Sequence, residues 1–177
     1  MITGSYLIKL RERLGLSQHE LAKLVGVTQA HIAKIERGKV DPKLSTVNKI
    51  LKVLKRVENS PRCKEIATRN LIYVTPNDKV SKAVELMLRH DISQLPVMEK
   101  GKPVGSLKES TILKNLVCGI GDRKVKEIME ECFPIIDEDE SVEVAKMLLK
   151  VHQAVLVSKR GKITGIITKS DLLKLVA

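Results

Sequence analysis

Apolar residues recur at helical spacing through the first sixty positions, then give way to short β-branched runs that alternate with further helical stretches. Leu7, Leu10 and Leu14 share one face of a predicted helix with Ser5 as its cap and Gly15 as its stop. Ser17-Gln18-His19-Glu20 has the S-x-x-E form of a capping box and opens a second helix through Leu21, Ala22, Leu24 and Val25 to Gly26. Thr28 caps a third that ends at Arg37 and Gly38, and a fourth carries Val47, Ile50, Leu51 and Leu54. The pattern stops at Val57-Glu58-Asn59-Ser60-Pro61, where polar residues and a proline work against helix. Residues 1–57 are therefore expected to form one helical domain and residues 58–61 a linker.

From residue 62 the chain repeats itself. Lys64-Glu65-Ile66 returns as Lys126-Glu127-Ile128, and Val80, Ala83 and Leu86 match Val142, Ala145 and Leu148 at the same offset of 62. After His90 and His152 the offset becomes 60, so that Val97 matches Val157, Gly105 matches Gly165 and Leu113 matches Leu173. Each copy, 62–118 and 119–177, reads β-α-β-β-α. A β-branched run (Leu71-Ile72-Tyr73-Val74; Phe133-Pro134-Ile135-Ile136) leads into an amphipathic helix. Two short strands about a glycine turn follow, and a second helix closes the unit. Strands this short predict two repeats packed sheet against sheet as one pseudo-symmetric module. The expected fold is thus two domains, all-α at the N-terminus and α/β (α+β) in a tandem repeat with a pseudo-two-fold.

Two short helices joined at Gly26-Val27 by a tight turn form a helix-turn-helix pattern. At 100° per residue, Ile32 and Ile35 of the second of these face inward, while Ala30, Ala33, Lys34 and Arg37 face outward. That outward face is narrow enough to approach a groove floor, with Gln29 placed for an adenine edge, Lys34 for guanine and Ala30 for a thymine methyl. Glu36 falls on the inward side, as does Arg11 of the first helix, so a buried Arg11–Glu36 ion pair is the expected solution.

Charge sharpens this reading. Of a net +11, the first sixty residues hold 12 basic against 5 acidic side chains, whereas the remainder is only mildly basic. Tyr6, Tyr73 and Phe133 are the only aromatic residues, which argues against stacking on single strands and for duplex phosphate contact. No stretch approaches a membrane span and the polar start lacks signal-peptide character, so the expected setting is the cytoplasm. Cys63, Cys118 and Cys132 are far apart and His19, His31, His90 and His152 lack ligand spacing, so neither disulfides nor a metal site is expected.

Residues 6–56 resemble the Cro and phage-repressor (XRE) helix-turn-helix family, in the run Leu16-Ser17-Gln18-His19-Glu20-Leu21-Ala22 and the ending Ile35-Glu36-Arg37-Gly38. The resemblance implies a recognition helix from Thr28 to Arg37, phosphate contacts near Gln18, Thr28 and Lys39, and the same Arg11–Glu36 pair. Members of that family commonly dimerise through a fifth helix, whereas this chain runs into Val57–Pro61.

The repeats end differently. The second carries Gly165-Ile166-Ile167-Thr168-Lys169-Ser170-Asp171, and the first Gly105-Ser106-Leu107-Lys108-Glu109-Ser110-Thr111. A hydroxyl and then a carboxylate at a helix start suit a nucleotide, with Thr168 and free N–H groups for a phosphate and Asp171 for both ribose hydroxyls. The same pair serves equally as an N-terminal cap that needs no ligand. Residues 62–177 resemble a tandem CBS-domain pair (a Bateman module), whose G-h-x-[ST]-x-x-D signature the second repeat matches throughout. The first repeat has Lys108 in place of the hydroxyl and Thr111 in place of the carboxylate. The resemblance implies an adenosyl ligand (AMP, ADP, ATP or S-adenosylmethionine type) at Thr168, Asp171 and Gly165, with its adenine between strands near Ile135 and near Ala154 and Val155. His152, Lys169 and Arg160 are candidates for an anionic tail.

The expected function is a DNA-binding transcription regulator, homodimeric through its CBS pair, whose affinity for double-stranded DNA an adenosyl effector modulates. No cofactor is required. The alternative keeps DNA binding and makes the pair a ligand-free dimerisation scaffold. An enzyme is disfavoured, since no nucleophile has a base beside it in any recognisable motif and Asp137-Glu138-Asp139-Glu140 reads as a helix-start charge run.

Overall fold

The structure is a computed structural model describing residues 3–175. Two compact units divide it: one holds the chain up to Arg62 together with Asp139–Met147, the other Cys63–Glu138 and the chain from Leu148 onward.

In the first unit, α1 (Gly4–Arg13), α2 (Gln18–Val25), α3 (Gln29–Glu36) and α4 (Leu44–Glu58) surround a core of Leu7, Leu21, Ile32, Ile35, Ile50 and Leu54. The cap of α1 is Thr3, two residues earlier than the expected Ser5. Thr3 is extended and its Oγ1 accepts the Tyr6 N–H at 3.2 Å, whereas Ser5 already lies inside the helix. The capping box of α2 closes in both directions, Ser17 N–H to Glu20 Oε2 at 2.7 Å and Glu20 N–H to Ser17 Oγ at 3.2 Å. Gly26 ends α2 at φ 79°, a left-handed conformation that glycine adopts without a Cβ penalty. Thr28 Oγ1 then accepts the His31 N–H at 3.2 Å and starts α3. Helix α4 continues through Glu58, one residue into the stretch expected as linker.

The second unit contains α5 (Cys63–Ile66), α6 (Val80–His90), β1 (Gln94–Glu99), β2 (Lys102–Lys108), α7 (Glu109–Lys114), β3 (Ile135–Asp137), β4 (Ala154–Lys159), β5 (Lys162–Thr168) and a last short helix, Lys169–Leu173. Helix α8 (Val142–Leu148) lies between β3 and β4 and leaves the first unit for the second at its last residue, so the terminal helix is α9. Its start sits with the first unit: Val142 N–H donates to Pro61 O at 2.9 Å and Arg56 Nε meets Glu143 Oε2 at 3.1 Å.

Strands β3, β4 and β5 form one sheet, β3 parallel and β5 antiparallel to β4, whereas β1 and β2 pair alone. The strand expected at Leu71–Val74 is reduced to a single bridge between Val74 and Val97. Prolines explain the loss. In the second repeat the parallel ladder is carried by Leu156 N–H to Pro134 O and Glu138 N–H to Ser158 O, both at 2.8 Å. The corresponding positions in the first repeat are Pro96 and Pro76, which have no N–H to donate.

The repeats exchange their leading segments. Thr68 pairs with Ile166 of β5 and, at the equivalent positions, Glu130 pairs with Ser106 of β2, each through two backbone bonds of 2.8–3.0 Å. The crossings run close over Gly165 and Gly105, where an added Cβ would stand 2.8 Å from Thr68 O and 2.9 Å from Glu130 O. Gly165→Ala is therefore expected to destabilise the module by about 1–3 kcal/mol through backbone displacement, read as a lower urea midpoint. An unchanged midpoint would refute the close crossing.

Candidate functional site

On α3, Ile32, Ile35 and Glu36 are buried, while Gln29, Ala30, Lys34 and Arg37 are exposed, with Thr28 before them and Lys39 after. The helix thereby presents the expected outward face, except that Ala33 is half-buried. Behind it, Arg11 binds Glu36 through both carboxylate oxygens, Nε at 2.7 Å and Nη2 at 3.1 Å, and its Nη1 donates to Leu16 O at 2.8 Å. The hydrogen bond to Glu36 raises the guanidinium pKa further above its ordinary value against the opposing effect of burial. Gln18 Nε2 also donates to Glu36, at 2.7 Å, and Gln29 Nε2 donates to Gln18 Oε1 at 3.0 Å. A buried charge thus orients two side chains at the exposed end of α3. Gln29 retains one amide hydrogen and its oxygen, and Gln18 one hydrogen, for further hydrogen bonds.

In the second unit a cleft of about 460 Å³ lies where the start of α9 meets the turn between α6 and β1. Thr168, Lys169, Ser170 and Asp171 line one side, and Thr68, Gln153, Ile166 and Asp91–Gln94 complete it. Asp171 is 4% exposed and accepts four hydrogen bonds. Thr68 Oγ1 (3.1 Å) and Lys174 Nζ (2.7 Å) reach Oδ1, while the N–H (2.8 Å) and Oγ1 (3.0 Å) of Thr168 reach Oδ2. Burial pushes its pKa up, but the bonds from Lys174, Thr168 and Thr68 outweigh that and leave it below the usual carboxylate value. The N–H and hydroxyl of Thr168, expected to serve a phosphate, are both directed at Asp171.

The pseudo-equivalent cleft, about 440 Å³, joins the end of β2 and start of α7 to His152 and Gln153 before β4. Here the chemistry is transposed. Thr111 stands where the other cleft has Asp171, and Glu130 where it has Thr68. Thr111 Oγ1 and Lys108 Nζ both contact Glu130, each at 2.5 Å, and hold its carboxyl below the ordinary value. The first repeat therefore keeps a carboxylate–hydroxyl pair with the two partners exchanged.

Of the residues expected around an adenosyl ligand, the cleft gathers Thr168, Asp171 and Lys169. Ala154 and Val155 are fully buried in the central strand β4, Ile135 is half-exposed on β3, and Gly165 faces the crossing segment, so none of these four lines it. His152 lines the other cleft, and Arg160 sits in the β4–β5 turn. Thr68, Asp91, Ser93, Gln94 and Gln153 escaped the sequence reading. The repeat offset pairs Thr68 with Glu130, and that correspondence was the available signal. Among the described residues no group of three His, Cys, Asp or Glu side chains is placed to hold a metal ion, and no helix is long and apolar enough to cross a membrane.

Comparison with known proteins matches a helix-turn-helix family model to residues 7–58 and a CBS domain model to residues 63–118 and 125–177. The HTH-type transcriptional regulator PuuR of Escherichia coli is 46% identical over 50 residues, 28% of this chain and 27% of that protein. The zinc metalloprotease MJ0392 of Methanocaldococcus jannaschii is 30% identical over 113 residues, 64% of this chain and 31% of its own length, in the CBS region. The chain spans between 23% and 38% of the curated relatives it matches. Among solved structures, the CBS domain protein NE2398 superimposes with a TM-score of 0.60 at 26% identity, covering 67% of this chain and 98% of that one. The CBS pair of MJ0100, solved with 5-methylthioadenosine and S-adenosyl-L-methionine, gives 0.57 at 26% identity, covering 66% and 96%.

Proposed function

The chain belongs to the CBS domain family, with a helix-turn-helix domain ahead of its two repeats, and from that premise we propose that it is a DNA-binding transcription regulator whose repeat pair senses an adenosyl ligand. One observation carries the sensing half: a buried carboxylate, Asp171, held at the edge of a cleft that both repeats build. The ribose diol takes one oxygen each from the Thr68 and Thr168 hydroxyls, which rotate away, while the backbone N–H and Lys174 stay in place. The relation to MJ0100 supports the same ligand class. Because Asp91–Gln94 come from one repeat and Thr168–Asp171 from the other, a ligand that favours one arrangement of the repeats biases the module as a whole. Coupling of about 1–3 kcal/mol to the DNA-binding state is enough for regulation.

For the head, the exposed face of α3 and its Gln18–Gln29 support favour major-groove reading. Leu88, Leu113 and Leu116 are exposed at an apolar cavity of about 650 Å³ on the first repeat, which favours a homodimer through the pair. Two heads then read half-sites about 34 Å apart. Operator affinity, titrated with and without AMP, ATP and S-adenosylmethionine, tests the sensing claim, and identical curves for every ligand would reject it. DNA affinity is expected to fall steeply with salt, and Gln29→Ala or Lys34→Ala to lose about 1–3 kcal/mol of base discrimination. Unchanged operator preference in both variants would remove α3 as the reading helix.

A further inference from the structure

Resting on the adenosyl reading above, we infer that the Asp171 cleft selects adenosines whose 5′ substituent is neutral or cationic, a thioether or sulfonium, over 5′-phosphates. Two features of its lining carry this. Thr168 keeps its N–H on Asp171 Oδ2 at 2.8 Å, so a phosphate placed there finds a hydroxyl but not the paired backbone donor. Of the two carboxylates in the lining, Asp171 is matched by Lys174 at 2.7 Å, which leaves Asp91 as the carboxylate that faces a 5′ substituent, beside the ammonium of Lys169.

The rest of the polar lining is uncharged: Ser93, Gln94, Gln153 and Ser170 offer amides and hydroxyls. Such groups solvate a sulfonium or the amino-acid portion attached to it, yet do not neutralise a phosphate. Asp91 has a particular place. It ends α6 at φ 53°, a left-handed turn that puts it at the cleft, where it repels a phosphate and attracts a cation.

Calorimetric titration of the full-length protein with AMP, ATP, 5′-methylthioadenosine and S-adenosylmethionine tests the inference. Methylthioadenosine and S-adenosylmethionine are expected to bind at least tenfold more tightly than ATP. Asp91→Asn, which removes the charge and keeps a side chain suited to the left-handed turn, is expected to narrow the S-adenosylmethionine to ATP ratio several-fold and to leave methylthioadenosine unchanged. ATP or AMP binding as tightly as the thioether would overturn the selectivity and leave the adenosyl reading standing. Binding of none of the four would overturn that reading itself. A ratio unmoved by Asp91→Asn would overturn the role given to Asp91.

Discussion

Glu36→Ala is expected to cost the head about 3–5 kcal/mol, because it leaves the Arg11 guanidinium buried without its counter-charge. Arg11 keeps only Leu16 O and a distant Glu12 at 3.5 Å, while Gln18 loses the acceptor that orients it. Hydrogen exchange of the amides of α1 to α3 in the full-length protein reads the loss directly. A paired replacement, Arg11→Met with Glu36→Leu, is expected to recover most of it, since an apolar pair of similar volume avoids the desolvation of both charges. DNA reading should stay impaired in that double variant, because Gln18 and through it Gln29 are no longer held. A drop below about 1 kcal/mol in Glu36→Ala would mean that the pair contributes no more than a surface bridge.

Asp171→Ala is expected to weaken adenosyl binding by about 100-fold, near 3 kcal/mol, the worth of two hydrogen bonds to a charged acceptor. The variant also loses the contact that starts α9, a smaller cost of about 1 kcal/mol. Unchanged binding would favour a ligand-free scaffold. The pH dependence follows from the same carboxylate. Its pKa is depressed in the folded protein, so its contribution to stability is complete above the ordinary carboxylate value and disappears as pH falls through the lower folded one. Ligand affinity carried by Asp171 is accordingly expected to stay flat from about pH 8 down to about pH 5.

Local signals made the head legible. Ser17 and Glu20, Thr28, and Gly26 each act within a few residues, and the 100° wheel was enough to set Arg11 against Glu36. The Thr3 cap was missed because Ser5 is an equally good capping residue, and only the backbone decides between them. In the repeats, self-similarity revealed the duplication, but it also transferred a strand onto Leu71–Val74. Pro96 removes a donor that would face that strand and Pro76 one just past its end that would face β1, and their effect depends on a pairing register that sequence does not display. The cleft was half-readable for the same reason. Thr168 and Asp171 are three residues apart, whereas Thr68 and Asp91 reach the site from the other end of the module through a crossing bridge and a left-handed turn.

At the crossings of Thr68 with Ile166 and of Glu130 with Ser106, each repeat lends the other what it receives. Contacts in which each half gives what it receives are those of two identical chains about a two-fold axis, so one repeat alone has the makings of a symmetric dimer. In such a dimer both clefts must carry the same residues, because one gene encodes them. A single chain that carries both halves is free of that constraint, and here Asp171 with Thr68 stands opposite Thr111 with Glu130. Two repeats in one chain make two clefts whose side chains are set separately.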